Sequence, residues 1–275
     1  MPNSDLNNFS PEVPNDSVVI WRFLDLPKFL SILHRQELWF SSPKKFSDPW
    51  DGRYPPKDST HEDVIGWLRE AIKLDVGIDV TQRDLSLEGL ASETLDTEAR
   101  LKNVASMLRD QYGISCWHIR PVEPDAFWSL YSDRNYGLAI KSTVGQIKKS
   151  LADCSRTVTI GRVVYHGLDE AQPPNGFLKQ FFWKRQNFDY EKELRIVVPL
   201  TSPQNMLEFL TKPDLDRERQ NGGAGIHVDV KSLVGSVVIS PLAPKWFEET
   251  VREIANRFNK DLNFEPSALR STPED

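Results

Sequence analysis

The chain has 275 residues, of which 39% are hydrophobic and 27% are charged, and this composition is typical of a globular protein. Its 34 basic and 40 acidic residues give a formal net charge of −6, which argues against a protein that binds nucleic acid in bulk. The N-terminal segment is polar and lacks an apolar signal core, and no apolar run approaches the ~18 residues that span a bilayer. We therefore expect a cytoplasmic protein that does not associate with membranes.

The first half of the chain predicts a strand, a short helix and a second strand. Residues 18–23 are β-branched or aromatic and favour a buried strand. Asp25 precedes a Leu-Pro pair, which is typical of a helix start, and apolar residues at helical spacing predict a helix over 26–36. Residues 38–42 favour the second strand. Residues from about 60 to 110 have a helical pattern, which we interpret as an insertion on the same core.

The second half mixes strands and helices without strict alternation. Strands are predicted at 113–118, 136–141, 158–166, 194–199, 225–230 and 236–240. Helices are predicted at 125–131, 143–153, 174–184 and 244–258. This order favours an α+β fold, with a mixed or antiparallel central sheet and flanking helices, over a doubly wound sheet. We predict a single domain at residues 17–262, with flexible tails at 1–16 and 267–275.

The most suggestive chemistry lies at Glu191, Glu193 and Arg195, where charges alternate into a hydrophobic strand. On a strand, these three side chains point to the same side. Burying a lone carboxylate costs several kcal/mol, so we expect a pocket that contains counter-charges. The alternatives are an exposed edge of the sheet and a structural Glu–Arg ion pair.

Three further features are candidates for binding a ligand. Trp128 and Tyr131 share a helix face, where their polar edges either hold a ligand or are satisfied within the core. Asp48 and Asp51 bracket a Pro-Trp pair, which suggests either a ligand or cation site or a tight turn capped by Asp48. Arg22 lies in a strongly apolar strand and must reach an ionic partner or a cavity.

Several common catalytic motifs are missing from the sequence. It contains no glycine-rich phosphate loop and no nucleophile elbow. Its five histidines lack metal-ligand spacing, and its two cysteines are too few for a disulfide framework. We therefore expect no metal cofactor, and neither a hydrolase with a nucleophile elbow nor a metalloenzyme is favoured.

Taken in chain order, the motifs resemble those of the bacterial domain-of-unknown-function family 2971. The resemblance covers residues 18–259, and its most recognisable element is Glu-Lys-Glu-x-Arg at 191–195. The family often has Glu and Lys where this chain has Asp51 and Arg22. The other matching motifs are Trp21-Arg22-Phe23, Leu38 to Ser41, Ser47-Asp48-Pro49-Trp50, Gly113 to Cys116, Trp128 to Tyr131, Gly137 to Ile140 and Val238 to Pro241.

The order of elements also resembles the ADP-ribosyltransferase fold at low similarity. This resemblance implies that NAD is a substrate, with Glu193 opposing the positive charge that develops on the ribose and Glu191 orienting or deprotonating the acceptor. The residues that it implies for binding the nucleotide are Arg22, Ser41, Asp48, Trp128, Tyr131 and Arg195.

Two alternatives of different classes stay open. The first is a non-catalytic ligand-binding or regulatory protein, in a stress or phage-defence setting, whose Glu191, Glu193 and Arg195 form structural ion pairs. The second is a nucleic-acid-processing enzyme that binds Mg²⁺ through Asp48, Asp51, Glu191 and Glu193.

Overall fold

The computed structural model describes residues 10–48, 50–52, 109–167, 177–200 and 222–271. In these ranges the chain is an α+β protein, as predicted, with a mostly antiparallel sheet and flanking helices. The strands are β1 (Val19–Asp25), β2 (Glu37–Ser41), β3 (Tyr112–Ile119), β4 (Gly137–Thr143), β5 (Thr159–Arg162), β6 (Val164–His166), β7 (Trp183–Arg185), β8 (Glu193–Pro199), β9 (Gly223–His227), β10 (Ser236–Ile239) and β11 (Phe264–Glu265).

The helices flank this sheet and are mostly short. The α-helices are α1 (Leu26–Arg35), α2 (Asp125–Tyr131), α3 (Val144–Ser150), α4 (Val230–Leu233) and α5 (Lys245–Phe258), and 3₁₀ helices span Pro43–Lys45, Phe177–Phe182, Gln186–Glu191 and Ala268–Arg270. Within the described ranges, no helix is long and apolar enough to cross a membrane. Residues 60–108 of the predicted helical insertion lie outside the described residues.

Strand β3 organises the main sheet, whose order is β11-β10-β4-β1-β3-β2-β9, with β8 also paired to β3 and β5 paired to β8. One edge of β3 pairs with β8 along most of its length, from Tyr112 opposite Pro199 to His118 opposite Glu193. The other edge meets β1 near His118 and β2 at Ile114. In the described part of the chain, residues 115–117 have no strand partner on that edge. We call this gap between β1 and β2 the sheet opening.

The strand register divides the side chains of the sheet between two faces. His118 lies opposite both Trp21 and Glu193, so these three side chains share one face with Arg195 and Cys116, which we call the charged face. The other face, which we call the core face, contains the main hydrophobic core. Its buried members include Trp117, Ile20, Leu24, Leu194 and Ile196, together with Phe29 and Leu33 of α1 and Phe247 and Val251 of α5.

Local sequence signals account for α1. The Oδ1 atom of Asp25 accepts a hydrogen bond from the backbone N–H of Lys28 at 2.8 Å, which caps the first turn. Gln36 ends the helix in the left-handed region with φ 55°, and its N–H donates to the carbonyl of Ile32. Phe29 and Leu33 point into the core, so the predicted helix is confirmed.

Two predicted elements differ from the structure. The predicted helix at 174–184 is, in its described part, a 3₁₀ helix followed by β7, because residues 183–185 pair in parallel with β6. The predicted strand at 158–166 is two strands, since β5 pairs with β8 whereas β6 turns away to pair with β7. Residues from both predicted tails also pack on the body. The carbonyl of Glu12 accepts a hydrogen bond from Arg162, and Ser267 is buried.

Candidate functional site

Five buried ionisable side chains meet on the charged face, and none of them has more than 7% of its side chain exposed. They come from four segments: a loop at 50–52, strand β7, the 3₁₀ helix before β8, and β8 itself. We call this group the charge cluster, and its members are Asp51, Lys184, Glu191, Glu193 and Arg195.

Arg195 is the fully buried centre of the cluster, with 0% exposure. Its Nη1 and Nη2 atoms donate to the two carboxylate oxygens of Asp51 at 2.7 and 2.6 Å. Its Nε atom donates to Glu193 Oε2 at 2.6 Å, and Nη1 also donates to the carbonyl of Phe181 at 2.8 Å. The paired N–H groups match the geometry of a carboxylate, so Arg195 fixes the loop at 50–52 against the sheet.

Lys184 is the second cation of the cluster. Its Nζ atom donates to Glu191 Oε2 and to Glu193 Oε1, the latter at 3.1 Å, and lies 3.5 Å from Asp51 Oδ2. It also lies 4.9 Å from the ring centroid of Phe188. The cluster thus contains three carboxyl groups and two cations, so it is electrically neutral when one carboxyl group keeps its proton.

The two glutamates have strongly different affinities for that proton. Burial, together with the hydrogen bond and charge of Glu193, raises the pKa of Glu191 to about 7. Burial alone would also raise the pKa of Glu193, but the positive charges of Arg195 and Lys184 outweigh it and hold that pKa well below its usual range. Glu193 is therefore ionised at neutral pH while Glu191 exchanges a proton, a division typical of catalytic carboxyl pairs.

Aromatic residues and a histidine surround the two glutamates. Tyr131 donates its hydroxyl proton to Glu191 Oε1 at 2.9 Å, and the hydroxyl of Tyr165 accepts from the backbone N–H of Glu193 at 2.8 Å. The Nδ1 atom of His118 lies 3.0 Å from the carbonyl oxygen of Glu191, and burial lowers the pKa of His118 to about 4. The histidine is therefore neutral and its Nδ1–H donates to that carbonyl.

Glu191 and His118 bias stability in opposite directions as the pH changes. The folded chain keeps a proton on Glu191 that the unfolded chain releases near pH 4.5, so this contribution to stability is lost as the pH rises from 4.5 to about 7. The folded chain lacks a proton on His118 that the unfolded chain binds below pH 6.5, so this contribution is lost as the pH falls from 6.5 to about 4.

Glu191 does not belong to the strand on which the sequence analysis placed it. The 3₁₀ helix ends at Glu191, Lys192 adopts the left-handed region with φ 44°, and β8 begins at Glu193. The prediction of one shared strand face is therefore right for Glu193 and Arg195 but wrong for Glu191. Its side chain still reaches the cluster because the turn at Lys192 redirects the chain, and contacts with Lys184 and Tyr131 hold it there.

Asp48 forms a separate ion pair beside the cluster. Its Oδ1 atom accepts from the backbone N–H of Trp50 at 3.0 Å and from Arg185 Nη2 at 2.7 Å, and its Oδ2 atom accepts from Arg185 Nε at 3.2 Å. The alternative of a turn capped by Asp48 is thus the one that the structure favours. Both carboxylates of the loop are already paired with arginines, Asp48 with Arg185 and Asp51 with Arg195.

Trp128 and Tyr131 have different surroundings although they lie on one helix. Trp128 is fully buried, meets the ring of Phe23 edge-on at 4.9 Å, and donates from Nε1 to Glu123 Oε1 at 2.8 Å. It therefore packs in the core with a satisfied indole N–H. Of the pair, it is Tyr131 that contacts Glu191 of the charge cluster.

Arg22, Ser41 and Glu193 are not brought together by the sheet. Arg22 lies opposite Ile140 on the core face, whereas Glu193 lies on the charged face. Ser41 pairs with Ile114, four residues along β3 from His118, which corresponds to about 13 Å of strand. The juxtaposition that the resemblance to ADP-ribosyltransferases implies for Arg22 is therefore not present.

Lys184 and His118 belong to this site but were not predicted from the sequence. Lys184 follows Phe181, Phe182 and a tryptophan in the sequence, so it is a cation in an apolar segment. The same kind of signal identified Arg22 as a candidate residue. His118 alternates with Cys116 on a predicted strand, which places both on one face. Neither signal reveals the partners, because those lie in other segments.

The arrangement lends no support to a Mg²⁺ site. Within the described ranges, no group of three or more His, Cys, Asp and Glu side chains has the geometry of a metal site. The carboxylates proposed as ligands instead face Lys184, Arg185 and Arg195, which neutralise them.

Comparison with known proteins finds no match: no family model, no curated protein and no solved structure matches the chain. The resemblances to family 2971 and to ADP-ribosyltransferases therefore stay predictions.

Proposed function

We propose that the chain is an enzyme that cleaves the N-glycosidic bond of a nucleotide, with NAD as substrate, and passes the ADP-ribosyl group to an acceptor or to water. The observation that carries the proposal is the arrangement of Glu191 and Glu193, which accept hydrogen bonds from the same Lys184 ammonium while Arg195 also pairs with Glu193, so that Glu193 is held ionised and Glu191 is the carboxyl group that can carry a proton. Enzymes that break glycosidic bonds use two carboxyl groups in these two states.

Each glutamate has one task in this reaction. When the bond from the ribose C1 atom to nicotinamide breaks, the bonding electrons leave with nicotinamide and positive charge develops on the ribose. The fixed negative charge of Glu193 stabilises that charge. The acceptor hydroxyl or a water molecule then forms a bond to C1, and its proton passes to the carboxylate of Glu191.

A second candidate is favoured by the burial of the same residues. Glu191 and Glu193 are each 5% exposed, and both cations of the cluster are paired. In a non-catalytic ligand-binding or regulatory protein, this cluster would have the structural task of holding the loop at 50–52 and β7 to the sheet. A substrate would reach Glu193 only if the loop at 50–52 or β7 moved away, whereas a structural cluster requires no such movement.

The two candidates differ in what Glu193→Gln changes. We would incubate the purified chain with NAD and measure nicotinamide release, NAD binding and melting temperature for the wild type and the variant. Glu248→Gln is the matched control, because Glu248 is also paired with arginines, Arg252 and Arg270, but lies on α5 away from the cluster. The enzymatic proposal expects release by the wild type and by Glu248→Gln, and a loss of roughly 100-fold or more in folded Glu193→Gln.

Two outcomes contradict the enzymatic proposal: no release and no binding at millimolar NAD, or equal release by the wild type and Glu193→Gln. The structural candidate expects Glu193→Gln to melt at a lower temperature than Glu248→Gln. An unchanged melting temperature would contradict it.

A further inference from the structure

Arg22 is a half-buried cation without an ionic partner in the described part of the chain. Its Nη1 atom donates to Ser115 Oγ, its Nη2 atom lies 3.4 Å from the carbonyl oxygen of Trp39, and its guanidinium lies 5.8 Å from the ring centroid of Trp117. The hydroxyl, carbonyl and indole are uncharged, whereas Arg185 and Arg195 each pair with carboxylates. Burial lowers the pKa of Arg22, which reflects the cost of a charge that no carboxylate among the described residues compensates.

The thiol of Cys116 does not supply the missing negative charge. Cys116 lies on β3 at the height of the sheet opening with its side chain on the charged face, and a thiolate there would still attract Arg22. Burial and the charge of Glu193 raise the pKa of this thiol to about 12, so it stays neutral at physiological pH. The guanidinium therefore has no compensating negative charge among the described residues beside the opening.

Ser115 is a second donor at the same place. Its side chain is 1% exposed, and its Oγ atom accepts from both Arg22 Nη1 and Trp117 Nε1, the latter at 3.2 Å. A serine hydroxyl also has one proton to donate. In the ranges that the structure describes, no acceptor for that proton is found. A buried hydroxyl that receives two N–H groups and still has its own proton requires an acceptor, which is a role that an anion fills.

The gap in the strand pairing is where an anion would meet these two donors. The Arg22 side chain extends from β1 toward the carbonyl of Trp39 on β2, beside residues 115–117 of β3, which have no strand partner on that edge within the described residues. The contact with Trp39 is at the exposed end of the guanidinium and is long, so it leaves N–H donors of Nη2 available.

We propose that the sheet opening is a binding site for a small oxyanion, a phosphate or carboxylate group, held by the guanidinium of Arg22 with the Ser115 hydroxyl as a second donor. The site lies on the core face and is distinct from the charge cluster, so it goes beyond the proposed function. Arginine suits this task because its planar fork binds two oxygens of one phosphate or carboxylate group.

The test uses pyrophosphate and malonate as separate probes on the full chain, at constant ionic strength, with calorimetric titration and thermal melting. The wild type should bind at least one probe, and its melting temperature should rise by roughly 5–10 °C at a hundredfold excess over Kd. Binding of pyrophosphate alone would identify a phosphate site, and binding of malonate alone a carboxylate site. No binding of either probe at millimolar concentration would overturn the proposal.

Matched variants separate this site from general attraction to basic groups. Arg22→Gln should bind at least roughly tenfold more weakly, since it removes a charge-assisted pair. Arg156→Gln is the control, because Arg156 is also half-buried and donates to a carbonyl, that of Pro199 at 2.6 Å, but lies outside the opening. If Arg22→Gln does not fold, Ser115→Ala takes its place and should weaken binding several-fold. Equal affinity in the wild type and the opening variant would overturn the proposal.

Discussion

Replacing Asp51 with Asn tests whether the charge cluster is a dry, paired network. The change keeps the shape of the side chain but removes a carboxylate that accepts two hydrogen bonds, at 2.6 and 2.7 Å, from a guanidinium with no exposure. Breaking one partner of a buried ion pair costs about 3–5 kcal/mol. We expect about 3 kcal/mol, toward the lower end, because Glu191 can ionise and restore part of the missing negative charge.

The assay is urea denaturation followed by circular dichroism, together with thermal melting. A loss of about 3 kcal/mol corresponds to a melting temperature roughly 6–12 °C below that of the wild type for a chain of this size. Asp261→Asn is the control, because Asp261 also faces a cation, Lys231 at 3.5 Å, but is 79% exposed, and its melting temperature should stay close to that of the wild type. A loss below about 1 kcal/mol in Asp51→Asn would refute the reasoning, since that is the size of a solvated surface pair.

Two further variants test the titration of the cluster and the anchoring of the C-terminal segment. The stability of Glu191→Gln relative to the wild type should increase as the pH rises from 4.5 to about 7, by at most about 1.4 kcal/mol per pH unit, because the variant cannot ionise at this position. Denaturation at a series of pH values measures this difference in stability. A difference that does not depend on pH would contradict the prediction. Glu123→Ala should cost about 2 kcal/mol and expose the C-terminal segment to limited proteolysis, because Glu123 accepts charge-assisted hydrogen bonds from Trp128 Nε1, Ser267 Oγ and Ala268 N. If Glu123→Ala resists the protease as well as the wild type does, this anchoring role of Glu123 is contradicted.

Elements defined by local signals could be predicted from the sequence. The helix over 125–131 has the predicted bounds, and α1 begins after the predicted cap at Asp25. The break between β5 and β6 could not be predicted, because residues 158–166 have a continuous strand-like pattern. The division depends on pairing with β8 on one side and β7 on the other, and these partners lie in distant parts of the sequence.

Only the part of the candidate site that lies on strand β8 could be predicted from the sequence. Alternation along β8 places Glu193 and Arg195 on one face without any knowledge of the fold. The left-handed conformation of Lys192 could not be anticipated, since residues other than glycine adopt it rarely. Asp51 and Arg195 are 144 residues apart, so no local pattern relates them. The position of Arg22 relative to Glu193 likewise depends on the register of β1, β3 and β8.

The way in which the charge cluster is assembled has a consequence for the order of folding. Its members come from four segments, and the ion pair between Asp51 and Arg195 closes a loop of 144 residues. The charged groups lose their water only when all four segments are in place, whereas β3 and β8 can pair through hydrophobic contacts before that. We therefore expect the cluster to form after the folding transition state, so that Asp51→Asn mainly raises the rate of unfolding and leaves the folding rate nearly unchanged.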